Sequence, residues 1–271
     1  MRTIGIIGIG SMGGAIARGL LETGELRPEE MALCDREMER LEPFATRWPA
    51  LACYDQPDLM AEECGMIILA VKPYVLADVV EACGESLEDK AVVSIAAGWT
   101  VPMLRKILER TGARWLRVMP NTPAMVGEGM TALCEDSSFT PKELSLARRV
   151  FNALGRTVTL PERLFDGVTA LSGSSPAYIY MLIEAMIDAG IREGIPAPAA
   201  RELAAQSVLG TALMVLSSDK HPAELRAAVC SPGGTTIDAV AVLEEKGFRH
   251  AVQEAVRVCA EKSRRMSKQN Q

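Results

Sequence analysis

The chain has 271 residues, which is enough for one large domain or two ordinary domains. Its composition is 48% hydrophobic and 24% charged, as expected for a globular protein with a substantial core. The net charge of −6 argues against a surface that binds the phosphates of DNA or RNA, so we expect no nucleic-acid partner. With only two histidines, the chain is a poor match for a histidine-rich metal site, and we expect no metal.

The cysteines and the hydrophobic segments indicate where the protein works. The seven cysteines include no Cys-x-x-Cys pair, which favours free thiols over a disulfide framework or a zinc site. The amino end lacks the long apolar run of a signal peptide. The charge-free stretch 203–216 has 14 residues, whereas a membrane span needs about 20. We therefore expect a soluble cytoplasmic protein that does not cross a membrane.

The first 160 residues alternate short apolar strands with amphipathic helices. This pattern is typical of a parallel sheet with helices on both faces. Strands are predicted over residues 3–9, 31–34, 66–71, 91–95, 115–119, 131–133 and 156–160. Helices are predicted over residues 12–23, 37–47, 75–82, 101–110 and 141–153. Thr100 stands just before one of these helices, and we expect its hydroxyl to cap the free N–H groups there.

Beyond residue 160 helical signals dominate, with prolines near several predicted helix starts. Helices are predicted over residues 176–192, 198–217, 222–229, 235–245 and 248–268. The sequence thus predicts an α/β fold with two domains. A Rossmann-type parallel-sheet domain occupies residues 1–160, and an all-helical domain occupies residues 161–271.

Two helices of the second half are unusually apolar. In the helix 176–192 the charged residues Glu184, Asp188 and Arg192 form one narrow line, and the stretch 203–216 carries no charge. A helical domain of about 110 residues buries a limited fraction of its surface and struggles to enclose both helices. We favour burial against a second copy of the chain. An internal bundle core is the alternative.

The first predicted strand leads into Gly8-Ile9-Gly10-Ser11-Met12-Gly13, and a helix follows. In such a motif Gly8 permits a tight turn, Gly10 lets the backbone approach a pyrophosphate, and Gly13 lets the helix pack close to the strand. The amino end of the helix offers free N–H groups to the phosphates. Because the motif lies between a strand and a helix of an alternating domain, it predicts dinucleotide binding rather than a purely structural turn.

The end of the second strand carries conflicting signals about the coenzyme. Asp35 could accept hydrogen bonds from a ribose 2′-hydroxyl, which favours NAD. Arg36 could hold a 2′-phosphate, which favours NADP. In a third interpretation Asp35 caps the next helix and Arg36 is simply solvated. The coenzyme preference stays open on these residues.

Other small-residue loops follow the next strands of the predicted sheet. They are Ala70-Val71-Lys72-Pro73, Ala96-Ala97-Gly98 and Met119-Pro120-Asn121-Thr122-Pro123. Open α/β sheets bind ligands at the carboxyl ends of their strands, so these loops could converge on one cofactor and leave room for a nicotinamide. Each loop taken singly is also compatible with a structural role.

The helical half contains Ser231-Pro232-Gly233-Gly234-Thr235-Thr236 immediately before a predicted helix. Permissive glycines, free N–H groups and hydroxyls at a helix start are suited to binding a carboxylate. An ordinary capped loop is the alternative. His221, which precedes Pro222, is interpreted as a residue of a helix start rather than as a general acid.

Together these motifs resemble the pyrroline-5-carboxylate reductase family, from Ile4 to about Lys268. The resemblance also includes Ser94-Ile95-Ala96-Ala97-Gly98, Leu171-Ser172-Gly173-Ser174-Ser175-Pro176-Ala177-Tyr178, His221-Pro222 and Leu243-Glu244-Glu245-Lys246-Gly247-Phe248-Arg249. It implies an NAD(P)H-dependent oxidoreductase that transfers hydride to the C=N bond of 1-pyrroline-5-carboxylate. The product is L-proline, in the last step of its biosynthesis. It also implies that the helical domain interleaves with that of a partner subunit in a homodimer or larger homo-oligomer.

The resemblance also implies residue roles. The substrate carboxylate would be held by backbone N–H groups of the loop that contains Ser231, Gly233, Gly234, Thr235 and Thr236. Thr236 would be the catalytic residue that hydrogen-bonds the ring nitrogen, and Glu162 would lie near the substrate. NADPH is usual in the family, although many members have Asn where this chain has Asp35, so NADH stays open.

Two other functions are compatible with parts of the sequence. A related hydroxyacid or imine reductase usually needs a lysine general acid in its helical domain, and Lys220 and Lys246 lie beside loop boundaries. A dinucleotide-binding regulator without activity would leave the hydroxyl-rich loop 231–236 without a purpose.

Overall fold

The computed structural model describes residues 2–269 and divides into two compact units. The first contains the chain up to Ser174 and the segment from Cys259 onward, and the second is Ser175–Val258. Within the described residues, the segment 259–269 belongs to the first unit, where Ser263 donates a hydrogen bond to Asp166 at 2.6 Å. The predicted domain boundary at residue 160 marks the change from alternating strands and helices to helices alone, whereas the two compact units are defined by contacts within the fold. The boundary stays a prediction.

The first unit is built on an eight-stranded sheet with the order β3-β2-β1-β4-β5-β6-β7-β8. The strands are β1 Arg2–Ile7, β2 Met31–Cys34, β3 Ala52–Tyr54, β4 Cys64–Leu69, β5 Ala91–Ser94, β6 Arg114–Met119, β7 Gly129–Cys134 and β8 Gly155–Leu160. Every neighbouring pair is parallel except β6 and β7. Since β1 lies between β2 and β4, the crossover direction reverses there, and a ligand crevice forms at such a point.

Helices cover both faces of this sheet. They are α1 Ser11–Glu22, α2 Glu42–Arg47, α3 Pro57–Glu63, α4 Leu76–Cys83, α5 Val101–Leu108, α6 Pro141–Asn152 and α7 Phe165–Val168. Along β4, Met66 and Ile68 pack in the core cluster that includes α1 and α6, whereas Ile67 and Leu69 pack in the cluster that includes α3, α4 and α5. The strand is apolar on both faces because both faces are buried. Each such buried side chain contributes about 1.5–3 kcal/mol.

The short elements at the β2–β4 edge differ from the prediction. The predicted helix 37–47 is a 3₁₀ turn, Met38–Arg40, followed by α2, which begins at Glu42. Pro43 has no N–H and fits only the first turn of a helix, so the segment restarts there. Strand β3 and helix α3 were not predicted, because three and seven residues are too few to display a clear period.

The second unit is helical. It contains α8 Ser175–Arg192, α9 Ala197–Leu216, α10 Pro222–Val229, α11 Thr235–Glu245 and the start of α12 Phe248–Gln269. Within residues 175–258 only Ala200 and Ala204 are buried, while large apolar side chains along α8, α9 and α11 are exposed. The apolar helices therefore do not form a bundle core within one chain. Of the helices described over residues 2–269, none is long and apolar enough to cross a membrane.

Candidate active site

Three of the predicted cofactor-binding segments follow neighbouring strands. The glycine loop follows β1, residues 70–73 follow β4, and residues 96–98 follow β5. The loops are anchored to the sheet by backbone hydrogen bonds from Gly8 to Cys34 at 2.8 Å and from Ala70 to Ile7 at 2.8 Å. Because these strands are parallel, the sheet brings the three segments to the same edge.

Of three glycines in the loop, Gly8 and Gly13 leave no space for a Cβ, whereas Gly10 does. Gly8 has φ +94°, and a Cβ there would lie 2.8 Å from Val71. A Cβ on Gly13 would overlap the carbonyl oxygen of Gly8. For a Cβ on Gly10, the nearest atom outside the adjacent residues is Nη1 of Arg40, 3.7 Å away. Since α1 begins directly after Gly10, its first N–H groups and this open space fit a pyrophosphate.

Asp35 serves the backbone of the glycine loop. Its Oδ2 accepts the N–H of Ile9 at 2.7 Å, and its Oδ1 accepts the N–H of Glu37 at 3.0 Å. The residue is only 7% exposed. Asp35 thus holds the glycine loop and the turn after β2, whereas neither the 3₁₀ turn Met38–Arg40 nor α2 has a side-chain cap.

Two cations stand beside this loop. Arg36, two residues beyond the end of β2, is exposed. Arg40 was not predicted, although its Nη1 lies 3.9 Å from Asp35 and its guanidinium binds Glu37 at 2.8 and 3.0 Å. The spacing of four residues from Arg36 was the available signal, but the assumed regular helix 37–47 hid the local geometry.

The loops after β4 and β5 are joined to each other. Trp99 Nε1 donates to the carbonyl oxygen of Pro73 at 2.8 Å. Gly98, immediately before it, has φ +78°, a conformation that favours glycine. Ala96 is fixed by a hydrogen bond from its N–H to the hydroxyl of Ser94 at 3.3 Å. Lys72 is exposed at the mouth of the first of these loops.

The loop after β6 is fixed by the side chain of Asn121. The amide oxygen accepts the N–H of Met130 at 2.8 Å, and the amide nitrogen donates to the carbonyl oxygen of Ser172 at 3.2 Å. Asn121 therefore connects two motifs that carried the family resemblance, the segments 119–123 and 171–178. Its buried amide is satisfied on both sides, as a buried polar group requires.

Glu162 contacts the start of α5, and its side chain is 22% exposed. Its Oε1 accepts the backbone N–H of Val101 and a hydrogen bond from Arg117 at 2.9 Å. The predicted helix start at Thr100 is confirmed, but the predicted cap is wrong: the Thr100 hydroxyl is buried without a hydrogen-bond partner. The carboxylate of Glu162 takes the place of that cap.

The loop 231–236 has the geometry of a helix entry. It connects α10 to α11, and Thr235 and Thr236 are the first two residues of α11. Gly233 has φ +66°, and a Cβ on Gly234 would overlap the hydroxyl oxygen of Ser231. The first N–H groups of a helix lack intrahelical partners, so this entry can bind an anion.

His221 begins the preceding helix. Its Nδ1 accepts the N–H of Ala223 at 3.2 Å, and it is the N-cap residue of α10. This arrangement confirms the interpretation of His221 as a helix-start residue.

Cys34 and Cys83 are buried thiols of the same core cluster. Burial, together with smaller effects of nearby groups that include Cys83 and Asp35, raises the pKa of Cys34 to about 12. Burial likewise raises the pKa of Cys83 to about 12. A thiol with such a pKa is protonated at neutral pH and is not a nucleophile.

Comparison with known proteins identifies the family. The chain is 41% identical to a pyrroline-5-carboxylate reductase of Escherichia coli over 268 residues, which covers 98% of this chain and 99% of that protein. The chain belongs to the pyrroline-5-carboxylate reductase family. A family model described as pyrroline-5-carboxylate reductase dimerisation matches residues 162–266. A second, described as NADP oxidoreductase coenzyme F420-dependent, matches residues 3–98.

Solved structures of pyrroline-5-carboxylate reductases share the fold. The Coxiella burnetii structure is similar with a TM-score of 0.90 at 31% identity and covers 98% of both chains. The Plasmodium falciparum structure, solved with NADP bound, has a TM-score of 0.89 at 29% identity and also covers 98% of both chains. The predicted family, oxidoreductase class and fold class are confirmed: a Rossmann-type sheet domain precedes a helical dimerisation domain.

Proposed function

We propose that the protein reduces the C=N bond of 1-pyrroline-5-carboxylate to give L-proline, the last step of proline biosynthesis, with NADPH as its main coenzyme. The observation that carries this proposal is the full-length similarity to the Escherichia coli reductase at 41% identity. The anion-binding entries at both proposed ligand sites support it, since the coenzyme carries phosphates and the substrate a carboxylate.

The residues proposed to hold the coenzyme fit its chemistry. The open space at Gly10 and the start of α1 suit the pyrophosphate, and the small residues of the loops after β4 and β5 suit the nicotinamide half. When bound, NADPH supplies the hydride. The residues proposed to hold it are Gly8, Ile9, Gly10, Ser11, Met12, Gly13, Asp35, Arg36, Ala70, Val71, Lys72, Pro73, Ala96, Ala97 and Gly98.

NADPH is preferred over NADH in this proposal because of the charges around the glycine loop. The carboxylate of Asp35 lies 3.9 Å from Nη1 of Arg40, whose positive charge offsets the repulsion between Asp35 and a 2′-phosphate. The exposed guanidinium group of Arg36 provides the opposite charge. The Plasmodium falciparum relative was solved with NADP bound.

The substrate is proposed to bind at the entry of α11. Backbone N–H groups of Gly233, Gly234, Thr235 and Thr236 would hold its carboxylate, together with Ser231. The hydroxyl of Thr236 would orient the ring nitrogen by a hydrogen bond or donate a proton to it. Protonation of the nitrogen makes the ring carbon a better hydride acceptor. Holding reactants in place can contribute about 7–11 kcal/mol. General acid catalysis typically contributes about 10²–10⁴-fold.

The proposal includes the larger organisation of the molecule. The sheet domain would end at residue 160, and residues 161–271 would form the helical domain, as supported by the dimerisation match over residues 162–266. Two copies would join through this domain in at least a homodimer. We place the protein in the cytoplasm, where the reducing environment suits its seven free cysteines, and we expect no nucleic-acid partner.

One assay tests the proposed reaction. Oxidation of NADPH and NADH is followed with 1-pyrroline-5-carboxylate and, separately, with a panel of keto acids. Turnover with the cyclic imine supports the proposal. Turnover with keto acids alone would identify a hydroxyacid-type reductase, and coenzyme binding without any turnover would identify a regulator.

The proposed catalytic role of Thr236 can be tested separately. We expect Thr236→Ala to lower kcat by about 10²–10⁴-fold, because the ring nitrogen loses its hydrogen-bonding hydroxyl. The dissociation constant of NADPH should stay within about twofold, and Thr236→Ser, which keeps a hydroxyl, should recover most of kcat. An unchanged kcat in the alanine variant would remove Thr236 from the catalytic role.

A further inference from the structure

Glu162 joins two chain segments that follow neighbouring strands. Its Oε1 accepts both the N–H of Val101, the first residue of α5, and a hydrogen bond from Arg117 on β6 at 2.9 Å. Val101 directly follows the loop after β5, and Arg117 lies two residues before the end of β6. One carboxylate oxygen therefore ties together the chain segments at the carboxyl ends of β5 and β6.

Arg117, the partner of this carboxylate, is buried and needs a counter-charge. Arg117 is 4% exposed, and its guanidinium lies 4.7 Å from the ring centroid of Phe165, which is also buried. A buried guanidinium without a counter-charge is strongly destabilising. The negative charge of Glu162 is thus needed to balance Arg117, and both hydrogen bonds use the same oxygen, Oε1.

The start of α5 depends on Glu162 for a second reason. The hydroxyl of Thr100, the N-cap residue, has no hydrogen-bond partner, and Pro102 in the first turn has no N–H. The carboxylate of Glu162 accepts the N–H of Val101 from outside the helix. The loop 96–100 is consequently held at its far end by a residue that lies 61 positions away in the chain.

We infer that Glu162 is a positioning residue for the nicotinamide half of the coenzyme and does not contact the substrate. It acts by fixing the loop Ala96-Ala97-Gly98 through Val101 and the loop after β6 through Arg117. The pyrophosphate region, which belongs to the glycine loop after β1, is separated from β5 by β4 and does not depend on Glu162. This inference rests on the proposed function, because it assigns the nicotinamide to the loop after β5.

The test compares two ligands that differ by the nicotinamide half. Dissociation constants of NADPH and of adenosine 2′,5′-bisphosphate are measured without substrate for the wild type, Glu162→Gln and Glu162→Ala. We expect Glu162→Ala to weaken NADPH binding by about tenfold and the bisphosphate by less than about twofold. Glu162→Gln should lie between the wild type and Glu162→Ala, because its amide oxygen can still accept the N–H of Val101 but does not neutralise Arg117.

Steady-state kinetics supply the second readout. At saturating coenzyme and substrate, kcat should fall by about 10- to 100-fold in Glu162→Ala, since displaced loops misplace the coenzyme. The KM for 1-pyrroline-5-carboxylate should change little. The matched control is Glu109→Gln, because Glu109 lines the same cavity of about 560 Å³ as Glu162 but is exposed, and it should give wild-type values.

Two results would overturn the inference. A raised KM for the imine with unchanged NADPH binding would mean that Glu162 contacts the substrate. Equal weakening of both nucleotides in Glu162→Gln, which conserves the side-chain volume, would mean a general loss of structure. Failure of the proposed function is a different observation: the wild type would not turn over the imine, while the ratio of the two dissociation constants could still be measured.

Discussion

At the scale of single residues, Asp35 and Glu162 use their carboxylates in the same way. Each accepts a backbone N–H from a loop that is distant in sequence, Ile9 for Asp35 and Val101 for Glu162. Hydrogen bonds to a charged acceptor contribute about 1.5–3 kcal/mol and fix the direction of the N–H group. The loop proposed to bind the pyrophosphate and the end of the loop proposed to bind the nicotinamide half are therefore each held in place by an acidic side chain.

Asp35→Asn tests this role against recognition of the ribose. We expect the variant to lose about 1–3 kcal/mol of stability, because an amide cannot accept both N–H groups as well as a carboxylate does. NADPH and NADH should be weakened by the same factor, since the glycine loop serves both coenzymes. Thermal unfolding and kcat/KM for each coenzyme are the measurements.

The ratio of kcat/KM for NADPH to kcat/KM for NADH distinguishes the two roles of Asp35. If its carboxylate instead reads the ribose, its removal would shift the ratio of kcat/KM values toward NADPH by about tenfold or more. Arg36→Ala is the complementary variant. It should weaken NADPH selectively and leave unfolding unchanged, because the Arg36 side chain is exposed.

At the scale of elements, the helices and strands that carry a long apolar period could be predicted, as β4 shows. Its apolar run reads as a strand buried on both faces, and its alternate residues do enter two different core clusters. Helix α3 and strand β3 are too short to display a period. The cap of α5 could not be predicted, because local spacing points to Thr100 and the acceptor comes from Glu162.

In the candidate site, too, local features could be predicted, whereas hydrogen bonds between distant residues could not. Glycines and strand ends mark the coenzyme edge because their effect is local: a turn, a helix start and open space. The bonds of Asp35, Trp99 and Asn121 join residues that are 26, 26 and 51 positions apart. Such bonds depend on how the strands are ordered, which a single sequence does not display.

Packing between β1 and α1 provides a test at the scale of elements. In Gly13→Ala the new Cβ would overlap the carbonyl oxygen of Gly8, and neither backbone segment can move without opening the glycine loop. We expect NADPH binding to fall by at least about tenfold and stability to fall by about 1–3 kcal/mol. Calorimetric titration and thermal unfolding measure the two effects.

The next residue offers a matched control. A Cβ on Gly14 would make only ordinary contacts, with Ile9 at 3.8 Å and Phe44 at 3.9 Å. Gly14→Ala should therefore bind NADPH normally and gain about 0.5–1 kcal/mol, because alanine stabilises a helix interior relative to glycine. Similar losses in both variants would show that α1 tolerates no added methyl group and would contradict the specific clash at Gly13.

At the scale of the whole molecule, the second unit buries very little apolar surface within a single chain. Between residues 175 and 258 only two alanines are buried, whereas α8, α9 and α11 expose many large apolar side chains. A contiguous apolar surface of this kind marks an interface. The family match of this region to a dimerisation domain agrees with that expectation.

Leu213→Glu tests the proposed interface, because Leu213 lies on α9 and is 50% exposed in the single chain. If a second copy covers α9, a buried unpaired carboxylate would cost several kcal/mol and dissociate the oligomer. Light scattering should then give the 29.2 kDa mass of one chain for Leu213→Glu and a larger mass for the wild type. Leu59→Glu, 44% exposed on α3 of the first unit, should keep the wild-type mass. An unchanged mass for Leu213→Glu would place the interface elsewhere.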